Sequence, residues 1–181
     1  MRVIAGSARG RRLSTPEGRD VRPTTDKVKE SIFNIIQFEL PGAVVLDLFA
    51  GSGQLGIEAL SRGAERAVFL DSSPRSLTYV RENLGTTGFA DRAQVRNAEA
   101  AAYLSRTAET FDIALLDPPY RKEILPEILP LLAPHMAEDG IILCETAVEE
   151  NLPERAGTFA ISREYRYGSI KLTLYRNHEE D

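Results

Sequence analysis

Asp117-Pro118-Pro119-Tyr120 is the stretch of this chain best suited to hold a reacting group. It follows the apolar run Ile113-Ala114-Leu115-Leu116, so a strand ends there and a loop begins. Neither proline has an N–H to donate and each fixes φ, so the chain leaves the sheet as a rigid, extended elbow. A carboxylate stands at one end of the elbow and an aromatic ring at the other. Asp117 and the Pro118 carbonyl can accept two N–H bonds from a planar amine while Tyr120 stacks on the ring that bears it. A nucleobase is such a group. The same four residues also suit a plain strand-ending turn, so the elbow alone does not decide.

A second constellation lies upstream. Val44-Val45-Leu46-Asp47-Leu48-Phe49-Ala50-Gly51-Ser52-Gly53-Gln54-Leu55-Gly56 reads as strand, glycine turn and helix. Gly51 and Gly53 allow a tight turn and a close approach of ligand to backbone. In an open α/β sheet, ligands sit at such crevices beyond the carboxyl ends of the strands. About twenty residues on, Asp71 closes the next strand, where its carboxylate can accept ribose hydroxyls. Gly51, Gly53 and Gly56 also fit the G-x-G-x-x-G of dinucleotide sites. Asp47 argues against a dinucleotide, because a negative charge at the turn repels a pyrophosphate and suits an ammonium and a sulfonium. Nor does a hydride-transfer apparatus follow downstream. These residues favour S-adenosyl-L-methionine over NAD as the ligand.

The elements that must position these groups alternate. A capped helix over Thr24-Thr25-Asp26 and the apolar positions Val28, Ile32, Phe33, Ile35 and Ile36 stops at Pro41-Gly42. Strands are predicted at 44–46, 67–70, 93–95, 111–116 and 141–144, and helices at 55–60, 77–84, 98–104 and 124–132. Gly85-Thr86-Thr87-Gly88 reads as a loop. Residues 159–167 and 170–175 flank Gly168-Ser169 as a terminal hairpin. Repeated β-α units demand a mostly parallel sheet covered by helices. We expect one α/β Rossmann-like domain at 24–181, preceded by a basic extension at 1–23 that forms a short β-hairpin.

Bulk properties fit a soluble enzyme: 181 residues, 43% hydrophobic and 27% charged, make one ordinary domain with a real core. No apolar run is long enough to span a bilayer, and the Arg-rich start is no signal peptide. One cysteine, Cys144, excludes a disulfide framework and suits a reducing cytoplasm. Neither His135 nor His178 has partners in sequence to form a metal site, so no metal is expected. The net charge is −5, but residues 1–29 hold eight basic and three acidic groups, leaving −10 on the remainder. An acidic body with a basic arm suits a protein that grips a polyanion at one edge. Arg2, Arg9, Arg11, Arg12, Arg22 and Lys27 are the candidate RNA contacts.

The DLFAGSG turn at 47–53 followed by the DPPY elbow looks like a class I S-adenosylmethionine-dependent methyltransferase acting on an exocyclic amine. Arg22-Pro23-Thr24-Thr25-Asp26-Lys27-Val28-Lys29-Glu30-Ser31-Ile32-Phe33-Asn34 resembles the segment before that turn in the RsmD family. The opening Arg2-Val3-Ile4-Ala5-Gly6, the run Arg9-Gly10-Arg11-Arg12-Leu13, the run Glu58-Ala59-Leu60-Ser61-Arg62-Gly63-Ala64 and the late Tyr167-Gly168 fit as well. The family's enzymes methylate N2 of one guanine in 16S rRNA. The resemblance implies a seven-stranded mixed sheet of order 3-2-1-4-5-7-6 with strand 7 antiparallel. It implies cofactor contacts at Asp47, Phe49, Ala50, Gly51, Ser52, Gly53, Asp71 and Ser72, and S-adenosyl-L-homocysteine as product. Two positions depart from the family pattern. Asp71 stands where Glu is usual, and Asn97-Ala98-Glu99 stands where an Asp usually meets the adenine amine, so Ala98 and Glu99 inherit that contact. The expected partner is 16S rRNA, free or in a 30S or pre-30S particle, bound by a monomer. DNA adenine-N6 methylation, protein glutamine methylation and a catalytically silent rRNA-assembly factor are the rival readings.

Overall fold

A computed structural model describes residues 1–16, 25–119 and 123–178. Tyr120 and Arg22 therefore lie outside the described residues, as does the Thr24 end of the first cap. Thr25 supplies that cap: its hydroxyl accepts the Val28 N–H at 3.3 Å and starts α1 (Asp26–Ile35). Val28, Ile32 and Phe33 recur at helical spacing and are buried together.

The β-α alternation is as the pattern dictates. β1 (Val44–Asp47), α2 (Gln54–Ser61), β2 (Arg66–Asp71), α3 (Pro74–Thr87) and β3 (Ala93–Asn97) form one half. α4 (Ala100–Leu104), β4 (Phe111–Leu116), α5 (Leu125–Leu132) and β5 (Met136–Ala147) extend the other, and β6 (Arg155–Ala156), β7 (Phe159–Tyr167) and β8 (Ile170–Asn177) finish it. The sheet order is β3-β2-β1-β4-β5-β8-β7-β6. β1 to β5 run parallel, while β8 is antiparallel to both β5 and β7. The sheet thus has eight strands where seven were expected. The surplus strand is β6, two residues that pair with the start of β7; leaving it out restores the expected order.

Two apolar layers sandwich the sheet, because alternate residues of each strand face opposite sides. Val45, Phe69, Ile113 and Leu143 pack under α1, α2 and α3; Leu46, Leu70, Ala114 and Ile142 pack under α4 and α5. Cys144 belongs to the second layer and is fully buried, which pushes its thiol well above the ordinary range.

Several boundaries differ from the pattern. Gly85, Thr86 and Thr87 are the last turn of α3 and not a loop. Both threonine hydroxyls bond back to carbonyls one turn earlier, and Gly88 at φ +78° ends the helix. β5 begins at Met136, five residues before the apolar run. Its early part, paired from Met136 to Phe111, is separated from the regular register by an irregularity. Of the two prolines of α5, Pro126 sits in the first turn where no N–H is needed, while Pro130 lies inside the helix.

The N-terminal hairpin is reduced to one bridge, Arg2 with Arg12. Three backbone bonds hold it: Val3 N–H to Arg11 O, Gly10 N–H to Val3 O and Leu13 N–H to Met1 O, each 2.9 Å. Val3, Ala8 and Leu13 are buried in the same layer as α1, α2 and α3. No helix among the described residues is long and apolar enough to cross a membrane.

Candidate active site

The register of the parallel strands gathers the predicted residues along one rim. Asp47 at the end of β1 stands level with Leu115 of β4 and Phe69 of β2. Asp117 and Asp71, each two residues further on, therefore flank the glycine turn from the two neighbouring strands, about 5 Å to either side. Asn97 of β3 is level with Asp71, so Ala98 and Glu99 continue the row. β1 is also where the chain reverses its direction across the sheet, with β2 on one side and β4 on the other, the crevice where ligands bind in such folds.

The turn itself is built by its glycines. Gly51 at φ +56° and Gly53 at φ +85° adopt the left-handed backbone that other residues resist. Gly56 serves packing instead. A Cβ there would lie 2.3 Å from the Phe69 ring, so only glycine lets α2 sit against β2. Phe49 is half-buried, while Ala50 and Ser52 are buried beneath the turn. The Ala50 N–H is fixed on Leu70 O at 2.9 Å.

Asp47 is 1% exposed. One carboxylate oxygen, Oδ2, accepts the Gly56 N–H at 2.9 Å; the other, Oδ1, is buried and has no partner among the described residues. Burial drives its pKa up to about 7, the Gly56 bond opposes that, and nearby Asp71 adds to it. Gln54, first residue of α2, likewise has a buried side-chain oxygen without a donor among the described residues. Two buried acceptors at the first turn of one helix call for a ligand that brings N–H groups or positive charge. A phosphate would meet repulsion there.

Asp71 is already engaged. Its Oδ2 accepts the Gly51 N–H and its Oδ1 the Ser73 N–H, at 2.9 and 2.8 Å. It ties β2 to the glycine turn, and each oxygen keeps a second lone pair for a hydroxyl. Ser72 is exposed beside it. The Asp71 carbonyl receives the Ala98 N–H at 3.2 Å and the Asn97 amide at 3.1 Å, which fixes the third strand's loop against the second. Glu99 is exposed and caps α4 by position only, without a side-chain bond.

At the elbow, Asp117 is half-buried, Pro118 buried and Pro119 exposed. Where the description resumes, Glu123 has φ +48°, the one left-handed non-glycine among the described residues. Such strain concentrates where a loop is held for function.

Of the proposed RNA contacts, Arg2, Arg9, Arg11, Arg12 and Lys27 are all exposed. Lys29, counted with the basic arm, is not available: it is fully buried 3.7 Å from Glu58, and its ammonium donates to Arg2 O at 2.9 Å. Desolvation lowers its pKa while Glu58 opposes the fall.

The family model described as Conserved hypothetical protein 95 matches residues 1–176. The chain belongs to this family, the RsmD family. It is 44% identical to YlbH of Bacillus subtilis strain 168, provisionally named an rRNA methyltransferase, over 97% of this chain and 98% of that one. It is 35% identical to Ribosomal RNA small subunit methyltransferase D of Escherichia coli K12, over 99% of this chain and 91% of that one. The solved structure of yhhF from Escherichia coli superposes with a TM-score of 0.86 at 35% identity, covering 99% of both chains. The resemblance read from the sequence is thus borne out, and with it a methyltransferase fold.

The structure gives roles to residues that the sequence did not disclose. Glu58, Ser61 and Asn83 seat the arm. The buried Glu58 carboxylate accepts the Ile4 N–H at 2.8 Å and lies 3.7 Å from Arg62. Ser61 donates its hydroxyl to Ala5 O at 2.6 Å and accepts the Ala8 N–H at 2.9 Å. Gly6 passes so close that a Cβ would lie 1.9 Å from Ser61 O. Asn83, 1% exposed, joins Ser14 to the glycine turn. A charged residue in the middle of an apolar helix face, such as Glu58, was the available signal; Asn83 gave none.

Proposed function

We propose that the protein transfers the methyl group of S-adenosyl-L-methionine to N2 of a guanine in 16S rRNA. The observation that carries this reading is the buried Asp47 Oδ1, without a donor among the described residues, beside a glycine turn and with the Asp117 elbow on the adjoining strand. The residues present fit the methyl donor. Asp47 and Gln54 would receive its ammonium end, the turn from Phe49 to Gly53 would line its middle, and Asp71 with Ser72 would hold the ribose. Ala98 and Glu99 are assigned to the adenine. When bound, the donor supplies a methyl group on a sulfonium, a leaving group that needs no activation by the protein.

The protein's work is then on the nucleophile. The N2 lone pair is delocalised into the purine ring, so it must be oriented. Asp117 and the Pro118 carbonyl accept the two amine hydrogens, aim the lone pair along the line of displacement and stabilise the positive charge developing on nitrogen. The N–C bond forms as the C–S bond breaks, sulfur keeps the electron pair, and the acidified nitrogen then passes a proton to Asp117. Asp117 need not be a strong base for that step. Tyr120 is assigned to stack on the target base once it is rotated out of its loop. The exposed arginines of the arm, with Arg22 and Lys27, hold the RNA backbone. The relatives' names as rRNA methyltransferases support RNA over DNA. We assign the active protein to the cytoplasm, as a monomer acting on 16S rRNA, free or within a 30S or pre-30S particle.

The test is incubation with methyl-labelled donor and naked 16S rRNA, 30S particles or DNA, followed by mass mapping of the labelled nucleoside. N2-methylguanine in rRNA is expected. Label confined to DNA adenine, or RNA binding without label, would overturn the reading.

A further inference from the structure

The arm is fastened at two separate places, and they do different things. The lower fastening, at Glu58, Ser61 and Lys29, holds residues 2–8 against α1 and α2 and touches no part of the glycine turn. The upper fastening holds Ser14 on α3, where Glu82 accepts the Ser14 hydroxyl at 2.9 Å and Asn83 takes the backbone. Asn83 of α3 accepts the Ser14 N–H at 2.7 Å and donates to Ser14 O at 2.8 Å, reproducing the pairing of a neighbouring strand. Its amide also donates to Ser52 O at 2.9 Å, inside the turn assigned to the methyl donor. With one acceptor and two donors engaged and 1% exposure, the amide has one orientation in which all three bonds form.

We propose that Asn83 is a positioning residue that locks the RNA-gripping arm to the donor-binding turn, fixing the distance between bound RNA and the methyl group. This rests on the reading of the arm and turn given above. In-line displacement tolerates little error, and misplacement by about 1 Å can cost on the order of a hundredfold in rate. Arg2 sits at the lower fastening, and the arginines at positions 9, 11 and 12 lie between the two. Loss of the upper one leaves the arm attached and able to bind RNA, but no longer in register with the donor. The signature is therefore a fall in kcat with little change in either binding constant.

The experiment uses the full chain, 30S particles or 16S rRNA at saturation and saturating methyl donor, below the melting temperature of every variant. Asn83→Ala is expected to lose roughly 10- to 100-fold in kcat. Ser14→Pro removes both arm-side donors, the N–H to Asn83 and the hydroxyl to Glu82, and leaves the Asn83–Ser52 bond intact. It should lose kcat to a similar extent, with dissociation constants for S-adenosyl-L-homocysteine and rRNA within about threefold of wild type. The double variant should be no slower than Asn83→Ala, because both changes break one connection. Should Asn83→Ala fail to fold, Ser14→Pro decides the matter. Full kcat in Ser14→Pro, or losses that multiply in the double variant, would overturn the lock. If the wild-type protein itself leaves rRNA unmethylated, the proposed function falls and the lock falls with it.

Discussion

Asp47 should make the ligand-free protein less stable as pH rises, and Asp47→Asn should abolish that trend. An aspartate ordinarily titrates near 3.8; burial holds this one at about 7 in the folded chain. Between those values the folded state binds a proton that the unfolded state has released. Stability therefore falls as pH climbs from about 4 to 7 and levels off above. The interval corresponds to about 4 kcal/mol for this one group. Asparagine keeps a carbonyl for the Gly56 N–H but buries an amide NH₂ where Oδ1 was, an offset of about 1–3 kcal/mol that does not vary with pH. The difference between variant and wild type should thus grow by about 4 kcal/mol in the variant's favour from pH 4 to pH 8. Urea unfolding of both proteins across that range measures it. Donor binding reads the same group from the other side. A cationic ligand restores the charged form, so binding below pH 7 should release close to one proton. Affinity should then weaken about tenfold per pH unit, and calorimetry in buffers of different ionisation enthalpy counts the proton. The Asp47→Asn protein should bind the donor weakly with a flat pH profile. Parallel stability curves for the two proteins, or donor binding without proton release at pH 6, would refute the reasoning.

Asp117→Ala should cut methyl transfer by roughly 10²–10⁴-fold while leaving S-adenosyl-L-homocysteine binding nearly intact; calorimetry beside a transfer assay separates the two. Glu58→Ala should leave Lys29 buried without its partner at a cost of about 3–5 kcal/mol, lowering Tm by roughly 6–20 °C in a thermal melt. Arg11→Ala should weaken rRNA binding without changing which guanine is modified, and should reduce the slope of log affinity against log salt by about 0.7–0.9 in a filter-binding titration.

The sheet was legible because its strands are short apolar runs set between capped helices, a pattern that leaves little choice of architecture. The glycine turn and the elbow were legible for a related reason: a positive φ needs glycine, and a strand cannot continue through two prolines. What escaped was decided by tertiary contact. The first residues of β5 lie outside the apolar run at 141–144, yet Met136 pairs onto Phe111. Gly85 and Gly88 look like equivalent loop residues, but the first is inside α3 and only the second adopts φ +78°. Asn83 lies on a helix with polar residues around it, and nothing in its neighbourhood announces that it meets a residue 69 positions earlier. Lys29 looked like part of the basic arm because charge was counted along the chain; in space its ammonium is turned into the core, onto Arg2 O.

The bonds that seat the arm also impose an order in time. Ile4 waits for Glu58, and Ser14 for Asn83, separations of 54 and 69 residues. At synthesis rates of about 5–20 residues per second, the first segment made has no place to rest for on the order of 3–14 seconds. During that interval its arginines are presented on a loose chain, beside the nucleic acid of the ribosome that is making it. On the proposed reading of the arm, selective RNA binding arrives only after α2 and α3 exist, so a nascent chain would not grip a target in register before it has somewhere to put the methyl donor.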